Sequence, residues 1–217
     1  MELLELEHAV EVLLSYVKTP QTERVPLMEA AGRTAAEDVY AAISNPPFDR
    51  SPLDGYTFAA ACVAGATAER PVRLRVVGEE CAGEFYAGTV GAGETVRIMT
   101  GGAIPADCDC VIRQEDVRED GDVILVPFPL RAHENYCDAG EDVRAGTHII
   151  RKGQTLRAAD LAVLASQGYT DAAVYLRPRV AVASTGDELL QPGEPLRPGK
   201  IYNSNLYLLA GRLKELG

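Results

Sequence analysis

Asp54, Thr100 and Glu188 are polar side chains placed in an irregular loop or at the end of a strand-like run, where they can offer a group to a ligand. Asp54 lies in NPPFDRSPLDGYTF, residues 45–58, where three prolines, two aspartates, a serine and a glycine sit between apolar flanks. Such a stretch makes neither a helix nor a central strand. A long irregular loop kept by a compact domain is more often functional than a connecting segment is, and an Asp-Gly turn would aim the Asp54 carboxylate outward. The plain alternative is a proline-stiffened linker. Thr100 precedes Gly101-Gly102 after a run with strand character, so unhindered amides there would form either an anion-binding nest or a simple tight turn. Asp142 belongs to Gly140-Glu141-Asp142, which also reads as a solvated surface loop. Glu188 ends Ser184-Thr185-Gly186-Asp187-Glu188, directly after the apolar run at residues 180–183. Polar residues at the carboxyl end of a buried parallel strand are where open α/β sheets place ligands, although Glu188 could instead cap a helix.

The elements that must position these groups fall into three styles. Leu3, Leu6, Val10, Leu13 and Val17 recur at helical spacing until Pro20 and predict an amphipathic packing or association helix, with a second short helix over residues 27–31. Residues 72–77, 94–99, 110–113 and 123–126 are short β-branched or alternating runs separated by glycine-rich turns, which predicts a compact all-β subdomain. A helix over residues 157–167 points Leu161 and Leu164 inward and ends at Gly168. The run at 180–183 predicts a buried strand, and Leu206, Leu209, Leu213 and Leu216 predict a last helix capped by Asn203 or Ser204. One such strand and helix cannot bury their own faces, so the chain reads as the front portion of a longer protein.

Composition narrows the partners. A chain of 217 residues, 47% hydrophobic, can bury a real core. With 32 acidic against 21 basic residues and a net charge of −11, the surface repels polyanions, and nucleic acid is excluded as an expected partner. No signal-peptide layout or membrane-length apolar run is present in the sequence, so a cytoplasmic protein without membrane partners is expected. The five cysteines are odd in number and lack framework spacing. Cys108 and Cys110 could begin a thiolate metal site, but two buried small side chains are the preferred reading, and no metal ligand is assigned.

The loop at 45–58 resembles the P-F-D-x-S-x-x-D-G-Y segment of the MoeA family, the molybdopterin molybdenumtransferases that also form the E domain of gephyrin. Three further segments are similar in the same order: Ile98-Met99-Thr100-Gly101-Gly102-Ala103-Ile104-Pro105 with Asp109 and Val111; Gly140-Glu141-Asp142 with Gly146 and Gly153; and the segment at 178–189, PRVAVASTGDEL. Asn205 fits a fifth. Four ordered motifs are far more specific than a lone glycine pattern.

The resemblance implies an α+β multidomain fold: a discontinuous helical linker subdomain (1–44 and 141–177), an inserted all-β subdomain (45–140), and the start of an α/β molybdopterin-binding domain (178–217). It implies insertion of molybdate into adenylylated molybdopterin with release of AMP and help from Mg²⁺, by a homodimer whose cleft combines both subunits. Asp54, Thr100, Asp142 and Glu188 then correspond to catalytic residues, with Ser51, Gly101, Thr185, Gly186, Asp187 and Asn205 as ligand contacts. Chemistry on an activated phosphoanhydride suits such a set, since it calls for carboxylates near a divalent cation and a polar pocket for the oxyanion. The alternative is a non-catalytic dimerising scaffold or interaction module of the gephyrin E-domain type. Three departures stand out: Cys137 occupies a position where the family commonly has arginine, Asp107-Cys108 replace Gly-Ala, and Asn203 stands where aspartate is frequent. The chain alone, lacking the rest of the pterin-binding domain, is expected to be inactive.

Overall fold

The computed structural model describes residues 5–18, 20–80 and 83–216. The chain divides into two compact units, Tyr40–Ile149 and the flanking pair Met1–Val39 with Ile150–Gly217. In chain order the elements are α1 (Leu6–Ser15), β1 (Thr22–Pro26), β2 (Val39–Tyr40), β3 (Gly55–Phe58), β4 (Val72–Glu80), β5 (Glu94–Ile98), β6 (Cys110–Arg113), β7 (Arg118–Asp120), β8 (Val123–Val126), β9 (His148–Ile150), α2 (Ala158–Ser166), β10 (Asp171–Tyr175), β11 (Leu189–Leu190), β12 (Ile201–Tyr202) and α3 (Ser204–Glu215). Among the described residues, no helix is long and apolar enough to cross a membrane.

The central unit is a six-stranded sheet in the order β6-β3-β5-β4-β8-β7, antiparallel except where β4 and β5 run parallel. Both faces are apolar, and period-two alternation sorts the side chains between them. Tyr56, Phe58, Leu74, Ile112, Ile124 and Val126 pack together in one buried cluster, while Val96, Ile98, Ile104, Cys108 and Val111 pack in another. β3 lies between β5 and β6, pairing Gly55 with Ile98 on one side and with Arg113 on the other. The register is tight at its first residue. A Cβ on Gly55 would lie 1.9 Å from the Ile112 carbonyl oxygen, so only glycine fits there. Gly55 is thus required for close strand approach rather than for the Asp-Gly turn the sequence suggested.

In the flanking unit β1 and β10 pair antiparallel, with Val25, Ala172, Val174, Leu156 and Leu164 buried. α2 begins where the Arg157 amide donates to Asp160 Oδ2 at 2.7 Å, and Leu164 is its buried residue. Three expectations need correction. The helix expected over residues 27–31 is a single 3₁₀ turn, Leu27–Glu29, because Gly32 follows at φ +73 and leaves room for one turn only. The run at 180–183 forms no strand: Val180 is exposed, and among the described residues no ladder partner is available for its backbone. α1 forms as expected, but among the described residues it buries no side chain, with Leu6, Leu13 and Leu14 exposed, while Leu3 lies outside the described residues. The last helix agrees with expectation, Asn203 Oδ1 accepting from the Leu206 amide as its N-cap.

Candidate functional site

The loop at 45–54 is fastened on both sides by backbone bonds that reach far along the chain. The Ser51 amide donates to the Gly102 carbonyl at 3.0 Å and the Gly101 amide donates back to Ser51 at 2.8 Å. On the other side Arg50 and Cys137 exchange two bonds of 3.0 Å, and the Asn45 carbonyl accepts from the amides of Asp142 and Val143. Asp49 ties the loop again, its carboxylate accepting from Tyr136 Oη and from the Ala139 amide, each at 2.7 Å. Those two bonds hold the Asp49 carboxyl below the usual aspartate value, the Tyr136 hydroxyl contributing most.

This frame brings Asp54 to the end of β5. Asp54 Oδ1 accepts from both the Thr100 amide and the Thr100 hydroxyl at 2.7 Å. Its pKa is lowered by the amide bond first and the hydroxyl bond second, with the Arg97 guanidinium adding a smaller effect. Asp54 is therefore an exposed, ionised carboxylate with one oxygen committed and the other open. It suits holding a cation or a donor group, and it is a poor proton source at neutral pH. Thr100 is the hydroxyl donor of the pair, and its Oγ1 retains lone pairs for a ligand.

Ser51 and Gly101 stand beside this pair and shape the backbone around it. Ser51 is buried and its Oγ donates to the Leu53 carbonyl at 2.5 Å, so it shapes the turn. Gly101 adopts φ +85, and its amide and that of Gly102 are spent on Ser51 and Met99. The tight turn, rather than the anion nest, is what forms. Asp142 belongs to the same loop frame through its backbone, while its carboxylate is exposed and bonds to neither Asp54 nor Thr100.

Glu188 lies in the other unit. A cavity of about 140 Å³ there is lined by Ser184, Thr185, Glu188, Tyr202, Asn203 and Asn205, among others. The Glu188 carboxylate folds back so that a Cβ on Gly186 would meet Oε2 at 2.5 Å. Asn203, buried, donates to Ser184 Oγ at 2.7 Å while capping α3, which fixes one wall. Asp187 does not line this cavity and contributes its carbonyl to Lys200 Nζ at 2.6 Å. Sequence reasoning missed Ser184 and Tyr202 as wall residues and Arg97 as a charge acting on Asp54. Arg97 had a signal: it is the one cation in the run before Thr100.

Burial pushes the Cys108 and Cys110 thiols up to about 12, so neither is a thiolate at neutral pH. Among the described residues no three His, Cys, Asp or Glu side chains gather as metal donors. Asp54 has a threonine rather than a second carboxylate beside it. These residues do not by themselves make a Mg²⁺ cage.

A family model described as the MoeA N-terminal region (domain I and II) matches residues 4–168. The chain is 36% identical over 217 residues to a molybdopterin molybdenumtransferase of Haemophilus influenzae, covering 99% of this chain and 52% of that protein. It is 37% identical over 196 residues to one of Nostoc, covering 90% and 45%. The chain thus spans about half the length of these curated relatives. A crystal structure of the molybdopterin biosynthesis MoeA protein from Pyrococcus horikoshii superposes with a TM-score of 0.87 at 38% identity, covering 100% of this chain and 55% of that one. With the family model matched over most of its length and the fold shared end to end, the chain belongs to the MoeA family, to whose N-terminal region residues 4–168 correspond.

Proposed function

We propose that this chain contributes part of the active site of a molybdenum insertase, which inserts molybdate into adenylylated molybdopterin and releases AMP. The observation that carries the reading is the Asp54–Thr100 pair, an ionised carboxylate and a hydroxyl fixed at the end of β5 by the loop at 45–54. The names of the relatives supply the substrate class. In this role Asp54 keeps the Thr100 hydroxyl oriented and offers its open oxygen to a donor or cation on the substrate, while Glu188, Thr185, Gly186, Asp187 and Asn205 belong to a second set of contacts and Asp142 to a third. The exposed Leu6, Leu13 and Leu14 on α1 support a homodimer. Mg²⁺ as a helper and a cytoplasmic location complete the reading.

Positioning is what the chemistry needs most, so the chain alone is expected to associate without turnover. The test joins it to the remaining portion of the Haemophilus relative and follows molybdate-dependent AMP release together with light scattering. Turnover by the joined protein, lost in Asp54→Asn while folding is retained, is the expected result. A folded, dimeric joined protein that releases no AMP above a no-protein control would overturn the insertase reading and favour the scaffold alternative.

A further inference from the structure

The flanking unit holds a cavity of about 680 Å³ that the proposed insertase chemistry does not use. Its volume is that of a small-molecule site. Four cationic residues line it, Lys18, Arg33, Arg177 and Arg179, and among the described residues no aspartate or glutamate does. In a chain of net charge −11 that concentration is the reverse of the average surface. Arg33 is already engaged, donating to Glu23 and, at 2.8 Å, to the Tyr175 carbonyl. Lys18, Arg177 and Arg179 have no ion-pair partner among the described residues. Three unpaired cations around one cavity repel one another, and a bound dianion would relieve that repulsion. Apolar side chains complete the wall, Val17 and Leu176 among them, so a bare inorganic anion would leave part of the cavity unfilled.

We propose that this cavity binds a phosphate monoester with an apolar body, its phosphate on Arg177, Arg179 and Lys18 and its organic part against Val17 and Leu176. The planar guanidinium forks of two arginines suit a phosphate better than lysines alone would. The inference stands apart from the insertase reading, since Asp54, Thr100 and Glu188 take no part in it.

The 217-residue chain is titrated with phenyl phosphate and, separately, with inorganic phosphate, by calorimetry at low salt near neutral pH. Saturable one-site binding is expected, tighter for phenyl phosphate. Arg177→Gln and Arg179→Gln should each weaken it about tenfold, whereas Arg131→Gln, outside the cavity, should not change it. Binding should also fade as the pH falls below about 6, where a phosphate monoester loses its second charge. Thermal unfolding confirms that each variant is folded. Methyl NMR shifts confined to the cavity residues Val17, Thr34, Leu176 and Leu216 locate the ligand independently of the variants. Absence of saturation up to about 10 mM, a weakening by Arg131→Gln equal to that of the cavity variants, or shifts elsewhere would each overturn the proposal.

Discussion

The loop at 45–54 and the segment at 178–203 carry motifs of similar strength in the sequence, yet they are held by different means. The first is clasped between residues 100–104 and 137–143 by backbone hydrogen bonds and by the Asp49 carboxylate. The second is held locally, by the two-residue parallel pairing of β11 with β12 and by the Asn203–Ser184 bond. The contrast shows that a motif does not by itself make a preorganised site. Asp54 is oriented by hydrogen bonds from Thr100, 46 residues further along the chain, whereas Glu188 rests against its own Gly186.

The largest expected effect tests the clasp. Gly55→Val forces a side chain onto the Ile112 carbonyl and should cost about 3 kcal/mol or more of stability by chemical denaturation, whereas Gly186→Ala meets a movable carboxylate and the backbone strain of φ +151 and should cost about 1–2 kcal/mol. Equal losses would erase the distinction between the two regions. Next comes Asp54→Asn in the joined protein, expected to lower turnover about 100-fold, or about 2.7 kcal/mol, with an unfolding midpoint near that of the parent. A loss of stability with AMP release per folded molecule intact would instead make Asp54 part of the scaffold.

A smaller effect concerns pH. Asp49 has a folded-state pKa below its ordinary 3.8, so its contribution is fully present above that value and disappears as pH falls through the lower one. Asp49→Ala should therefore destabilise by about 1–2 kcal/mol at pH 7 and by progressively less as the pH drops below about 4. A gap between the two proteins that stays constant down to about pH 2 would show that the carboxylate charge is irrelevant to the clasp. Smallest is Asn203→Ala, which removes one helix cap and should cost about 1 kcal/mol, measured by thermal unfolding. A loss several times larger would mean that the 178–203 segment is held more firmly than its local bonds suggest.

Local pattern carried much of this molecule. β6 and β8 occupy the expected residues, and β4 and β5 differ only at their C-terminal ends. Alternation and glycine turns are short-range signals, and here packing agrees with them. Residues 180–183 were misread for the opposite reason, since a continuous apolar run says that a strand is possible but not which partner will pair with it. Thr100 and Asp54 were both recognisable as candidates. Their mutual bond was not, because it joins positions 46 residues apart and depends on β3 lying beside β5. Arg97 escaped notice similarly: its effect on Asp54 comes from being placed opposite Tyr56, a matter of register.

The position of β3 bears on the order in which a growing chain can mature. Gly55–Phe58 occupies the interior of the sheet, between strands that leave the ribosome about 40 and about 55 residues later, and the loop before it also waits for Cys137. Until then its apolar side chains must remain unsatisfied. Synthesis at about 5–20 residues per second leaves that strand without its neighbours for several seconds. The same topology that fixes the Asp54 carboxylate thus leaves β3 waiting for its neighbours during synthesis, and slower translation between codons 58 and 110 would lengthen that wait.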